Sequence, residues 1–253
     1  MKIQLVSDTH YGMHQECTLV NPKANILILA GDIVSHPRNA KYFLTSLRKE
    51  SDIPVLYVLG NHEFYDGNLY TTVDRYKKAL KSIPDVHILE KEVFEYEGVN
   101  FLGMTMWTDL SDPLVALAAQ ASLNDYEFIE RKPGEHIRPS DVDEEYQTNK
   151  AWLEENLKAL RGQENVVITH HAPTVECRNT YYDYERGNVW RRRAFCNELT
   201  TLIQQNDIKL WCYGHTHRTK SLKLKGTRIV SNQMGFVGGG NLYLFSKDLL
   251  LEV

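Results

Sequence analysis

The stretch IPVLYVLGNHE, from Ile53 to Glu63, decides the fold. An aliphatic and β-branched run ends at Gly60 and passes directly into Asn61, His62 and Glu63. Four other stretches repeat the form. KIQLVS precedes Asp8-Thr9-His10, and NILILA precedes Gly31-Asp32. NVVIT precedes His170-His171, and IKLWCY precedes Gly214-His215-Thr216-His217. Each apolar run reads as a buried strand. Residues 39–50 and 68–82 show helical spacing (Tyr42, Phe43, Leu47; Val73, Tyr76, Leu80), as crossovers between parallel strands require. The chain is therefore of the α/β class. In open α/β sheets, ligands collect beyond the carboxyl ends of the strands. Five clusters that are distant in sequence are thus expected to meet at one place.

The clusters offer two carboxylates, one carboxamide and several imidazoles, with no thiolate. That oxygen and nitrogen set suits Mn, Fe, Zn or Ni. It holds more donors than one ion takes. Two ions about 3.5–4 Å apart, sharing one carboxylate, would use them all. Asp8 and His10 stand two apart, as do His215 and His217, and alternate residues of an extended chain point the same way. Two divalent ions bring four positive charges. Asp8, Asp32 and a bridging hydroxide cancel three, and the remainder favours an anionic substrate such as a phosphate ester. Neither a Walker A loop nor a G-x-G-x-x-G element is present, so hydrolysis by water is favoured over nucleotide-dependent transfer.

The ordered set D-x-H, G-D, G-N-H-E, H-H-x-P and G-H-T-H, from Asp8 to His217, resembles the calcineurin-like metallophosphoesterase superfamily. The resemblance implies a four-layer α/β/β/α sandwich of two mixed β-sheets flanked by helices. It implies two divalent metal ions, with Mn²⁺ expected and Fe, Zn or Ni also admitted. By the family pattern Asp8, His10, Asp32 and His217 hold one ion. Asp32, Asn61, His170 and His215 hold the other, so Asp32 is the bridge. His62 faces substrate as general acid or charge stabiliser. His171 either stands behind the metal ligands or forms a pocket wall. Glu63 either holds the tautomer of a metal-bound histidine or is an exposed charge. A hydrolase of phosphoric mono- or diesters follows. The contrasting reading is a metal-poor scaffold on the same fold, which would be expected to have lost ligands; every ligand position here is filled.

At 253 residues and 42% hydrophobic, the chain suits one domain, 1–253, with a helical insert at about 105–150 built around helices near 113–123 and 141–160. A net charge of −4 argues against a general nucleic-acid or membrane binder. The first strand begins at Lys2, leaving no room for a signal peptide, and the four cysteines form no C-x-x-C pair. A reduced, cytoplasmic setting is expected. His14, His36, His87 and His136 read as surface or loop residues, with a pocket role weighed for His36. The arginine run 191–193 opens a helix expected over 194–205. Strands at 220–224, 228–231, 242–245 and 249–253 should close a second sheet in antiparallel fashion. The loop 175–193 carries Arg178, Tyr181, Tyr182, Tyr184 and Arg186. Arginine binds phosphate bidentately, and tyrosine stacks on bases. Arg178 and Tyr182, with Asn61, are the expected substrate contacts, faced across the cleft by Trp107, Asn124, Asp125 and Tyr126. A small organic phosphate or nucleotide is the expected substrate.

Overall fold

Ile26–Ala30 and Val55–Val58 are buried at every position, as strands covered on both faces must be. A computed structural model describes residues 1–11, 19–178, 190, 193–236 and 244–253. In it these strands form the middle of a five-stranded sheet in the order Leu250–Glu252, Lys2–Val6, Ile26–Ala30, Val55–Val58, Val86–Ile88. All neighbours are parallel except the first pair. The crossovers are helices Pro37–Leu47 and Thr72–Leu80. The first starts two residues earlier than expected, because Pro37 takes the opening position that needs no amide hydrogen. The second starts four residues later than expected, because Gly67–Asn68 pairs as a strand with Ile129–Lys132.

A second sheet has the order Lys220–Leu224, Thr227–Ser231, Leu210–Tyr213, Glu164–Thr169, Val99–Met104, Glu92–Tyr96. Its inner pairs are parallel and its outer pairs antiparallel. Strand alternation divides the buried side chains into two clusters. Ile3, Leu5, Ile26, Ile28, Leu56 and Val58 of the first sheet cluster with Phe101, Val166, Ile168, Cys212 and Val230 of the second. The alternate residues, including Leu27, Leu29, Tyr57, Val167 and Trp211, join the helical residues Phe43, Leu44, Tyr76, Leu153 and Leu157. Paired inner faces with helices over the outer ones are what an α/β/β/α sandwich requires.

Four further expectations are corrected. The terminal strand Leu250–Glu252 pairs with Lys2–Val6 in the first sheet, where it covers an otherwise open edge. Thr227–Ser231 runs parallel to Leu210–Tyr213 and only its pairing with Lys220–Leu224 is antiparallel. Leu244 and Phe245 lie outside any strand, and the rest of the expected strand at 242–245 falls outside the described residues. The helix expected from 194 begins at Thr200. Upstream of it, the amides of Asn197 and Leu199 donate to Ala172 O (2.8 Å) and Pro173 O (2.9 Å), so they cannot join a helical ladder.

The segment 105–150 holds helices Pro113–Ser122 and Asp125–Phe128, the hairpin Ile129–Lys132 with Glu135–His136, and the start of Pro139–Ala159. Among the described residues no helix is long and apolar enough to cross a membrane.

Phe101 lies fully buried between the sheets. Phe101→Ala should lower unfolding free energy by about 3–5 kcal/mol, read from urea denaturation curves.

Candidate metal centre

All five polar clusters lie at the carboxyl ends of parallel strands, three from the first sheet and two from the second. The sheets are stitched together there. Ser7 N donates to Asn232 O (3.1 Å) and Met234 N to Ser7 O (3.0 Å). His170 Nδ1 lies 2.9 Å from Ala30 O on the facing strand.

The glycines of the motifs make this approach possible. A Cβ on Gly31 would lie 2.2 Å from His170 Nδ1, and one on Gly60 would lie 2.3 Å from Asp32 Oδ1. A Cβ on Gly214 would lie 2.2 Å from Ser7 Oγ and 2.7 Å from Asp8 Oδ2. The loops that carry these polar residues are strained. Asp8, His10, Asp32, His215 and His217 all have positive φ, between 45° and 69°. For residues other than glycine this region is sparsely populated and costs of order 1–3 kcal/mol each.

Two groups of donor atoms converge, each within 4.8 Å of one another. The first is Asp8, His10, Asp32 and His217; the second is Asp32, His170 and His215. Asp32 belongs to both and is only 1% exposed. Its Oδ2 faces His10 Nε2 at 4.0 Å and its Oδ1 faces His170 Nε2 at 3.4 Å. In the first group His217 Nε2 lies 3.3 Å from Asp8 Oδ1 and 3.1 Å from His10 Nε2. Asn61 completes the second group, with Oδ1 at 3.1 Å from both His170 Nε2 and His215 Nδ1.

Burial opposes charge on all four imidazoles of the two groups, but Asp8 and Asp32 hold His170 and His217 above the usual histidine range while His10 and His215 fall below it. Burial pushes His10 down to about 4, against the pull of Asp32, and pushes His215 well below its usual range. Both rings are thus neutral, the form that ligates. Burial also opposes ionisation of Asp32, but His170, His62 and His10 hold its carboxyl well below the carboxylate range. Burial disfavours charge on His170 too, yet Asp32, Asp8 and the Ala30 carbonyl together hold it up to about 10. The carbonyl claims the Nδ1 hydrogen and turns Nε2 toward the second group, where a cation would compete with a proton.

His62 belongs to neither donor group. Its ring stacks on Tyr65 (4.4 Å between centroids) and meets His10 edge-on (4.6 Å). Nε2 lies 3.9 Å from Asp32 Oδ2, and the side chain is 21% exposed. His171 is buried, with Nδ1 3.3 Å from Thr105 O, and burial pushes it down to about 3.

Glu63 takes neither role expected of it. It is buried and accepts from the amides of Gly60 (2.7 Å), Asp32 (2.9 Å), Ile33 (2.7 Å) and Val34 (3.1 Å), and from Tyr57 Oη (2.7 Å). One carboxylate thereby ties the Asp32 loop to the Asn61 loop. The three-residue spacing from Gly60 is its one mark in the sequence, that of a capping box. His36 caps helix Pro37–Leu47 by accepting from Arg38 N (3.2 Å) and takes no part in the cluster. His14 lies outside the described residues, and His87 and His136 lie in neither donor group.

Arg178 is half-buried just past the 3₁₀ turn Val175–Cys177, while Tyr181, Tyr182, Tyr184 and Arg186 lie outside the described residues. Of the arginine run, Arg193 pairs at the surface with Asp112 (2.7 Å). Trp107 does not face a cleft: it is buried against Phe64 and His171. Asp125 is also buried, and its Oδ1 accepts from Asn61 Nδ2 and Tyr65 Oη, each at 2.8 Å. Burial pushes its carboxyl up, while those two donors pull it back. Phe236, which the motifs do not flag, stacks on His10 (4.3 Å) and is 39% exposed.

The profile of the calcineurin-like phosphoesterases matches residues 1–219. The chain belongs to that family. Calcineurin-like phosphoesterases are metal-dependent, in keeping with the two donor groups. An uncharacterised protein of Acanthamoeba polyphaga mimivirus is 28% identical over 222 residues, 83% of this chain and 78% of that one. Among solved structures, the phosphopantetheinyl hydrolase of Mycobacterium tuberculosis aligns with a TM-score of 0.69 at 18% identity, covering 93% of this chain and 89% of its own. A dimetal phosphatase from Danio rerio aligns with a TM-score of 0.54 at 11% identity, covering 91% and 86%. At those identities the likeness is one of fold.

Gly214→Ala should weaken metal binding by about 10–100-fold, because the new methyl group displaces Ser7 and Asp8. Gly226→Ala meets nothing within 4 Å and should bind as the parent does. Calorimetric titration with Mn²⁺ compares the two.

Proposed function

We propose that this phosphoesterase hydrolyses a phosphate ester of a small organic phosphate or nucleotide, mono- or diester, with two divalent transition-metal ions at the strand ends. The observation that carries the reading is the pair of convergent donor groups sharing the buried Asp32. Asp8, His10, Asp32 and His217 would hold one ion. Asp32, Asn61, His170 and His215 would hold the other. Mn²⁺ is the expected occupant of such a mixed carboxylate and imidazole set, and Fe, Zn and Ni also suit it. When bound, such ions activate water at neutral pH and offset charge on phosphoryl oxygens.

The side chains divide the remaining work. Asp32, shared by both donor groups, would be held by both ions. Asn61 would be a neutral ligand and leave the centre more positive than a third carboxylate would, which favours an anionic phosphate ester. His62 stands beside the centre with its side chain partly open to solvent. From Nε2 it would donate a proton to the leaving oxygen, or stabilise the charge there. Phe236 offers an exposed aromatic face next to His10, suited to the organic portion of a small substrate. Arg178 and Tyr182 are proposed as phosphate and base contacts from their place in the chain after the His170 motif. We also read the molecule as one domain, with 105–150 as an insert. Cys177 and Cys212 are buried free thiols, which suits a cytoplasmic setting.

Two measurements test this reading. Asp32→Ala should reduce metal content from two ions per chain to one or none, as read by elemental analysis after dialysis against Mn²⁺; full occupancy of both sites would reject the bridge. His62→Ala should lower kcat by about 10²–10⁴-fold with metal content unchanged. The loss should shrink for nitrophenyl esters, whose leaving group needs no proton. Equal losses on alkyl and nitrophenyl esters would exclude proton donation.

A further inference from the structure

The Asn61 carboxamide has two ends of nearly equal shape, and only its oxygen can ligate a metal. Something must choose between them. On the inner side, Oδ1 faces His170 Nε2 and His215 Nδ1, both at 3.1 Å. On the outer side, Nδ2 lies 2.8 Å from Asp125 Oδ1 and 3.2 Å from Tyr65 Oη. Tyr65 Oη in turn donates to the same Asp125 oxygen at 2.8 Å. A carboxylate has only acceptors. Turning the amide over would set its oxygen against Asp125 Oδ1, with no hydrogen between them, inside a site where Asp125 is 6% exposed. An unpaired contact of this kind in a buried site is strongly disfavoured.

We infer that Asp125 is a positioning residue: it holds the Asn61 amide with its oxygen toward the second metal half-site. Asp125 opens the four-residue helix Asp125–Phe128, so it reaches the centre from the 105–150 segment and not from any strand end. That segment thus serves the metal centre from behind. Through Tyr65, which stacks on His62, the same contact also holds the proposed acid in place. Asp125 touches neither substrate nor ion; it acts through Asn61.

The inference rests on the binuclear reading, and the experiment separates the two. Mn²⁺ is titrated into metal-stripped protein by calorimetry, with elemental analysis of the dialysed product. Fewer than two ions per parent chain would reject the binuclear reading itself. With two bound by the parent, Asp125→Ala should weaken one ion by about 10–100-fold and leave the other within about twofold. A purely structural role would lower the melting temperature without separating the ions. Loss of neither ion, or of both equally, overturns the inference. Where Asp125→Ala does not fold, an exchange decides. Asn61→Asp alone places two carboxylates in contact and should weaken the same ion. Asn61→Asp combined with Asp125→Asn restores a donor facing an acceptor and should recover two tightly bound ions. If the exchange binds no better than Asn61→Asp, the inference fails.

Discussion

A carboxylate with 1% of its surface exposed, at the seam between two sheets, is the constraint from which the rest of this structure follows. An ionised group in such a place is tolerable only when positive charge or hydrogen-bond donors surround it. Asp32 has three imidazoles within 4.0 Å, drawn from both sheets, and receives the amide of His62 at 2.9 Å. Its own backbone is fixed by a second buried carboxylate, that of Glu63. The two acids divide the task, one facing the donor groups and one facing the loops. That division explains why the burial of Glu63 raises its pKa while histidines hold that of Asp32 down.

The centre is built as much from main chain as from side chains. Gly31, Gly60 and Gly214 bring the strand ends into contact with the side chains of the donor groups, and a methyl group there would lie 2.2–2.3 Å from a side-chain atom of His170, Asp32 or Ser7. The strained conformations at Asp8, His10, Asp32, His215 and His217 have the same origin. Each strand must turn sharply as it leaves its sheet if its polar residues are to face a common point. Local preference is overruled by the packed sheets on either side, as at other functional sites.

Much of this was legible in the sequence, for a definable reason. Strands buried on both faces read as continuous apolar runs, and the polar residues that end them stand out. Parallel topology then places those residues on one edge, so the clusters could be gathered without knowing any long-range contact, while the choice of ligand within each cluster, such as His170 over His171, followed from the family resemblance. Elsewhere local pattern was insufficient. The strand at Leu250–Glu252 has an alternation that suits either sheet, and its choice is made by the open edge at Lys2–Val6. Residues 194–199 have helical spacing, yet the amides of Asn197 and Leu199 are taken by Ala172 and Pro173, in the chain after His171. Asp125 lies 64 positions from Asn61 with no periodic signal to connect them. A motif can reveal a ligand; it does not reveal what leans on the ligand from a distant segment.

The separation of the donors along the chain carries a consequence for folding. His10 and His217 are 207 positions apart, and their nitrogens meet only when both sheets are complete and docked. No fragment or partly folded chain can offer the full donor set. An ion that binds the native state alone stabilises it by mass action, by about 2.7 kcal/mol at a hundredfold excess over its Kd. That is a sizeable part of the stability of an ordinary domain. The metal supply of the surroundings would then set not only how many molecules are competent, but how long each survives before it unfolds and is cleared.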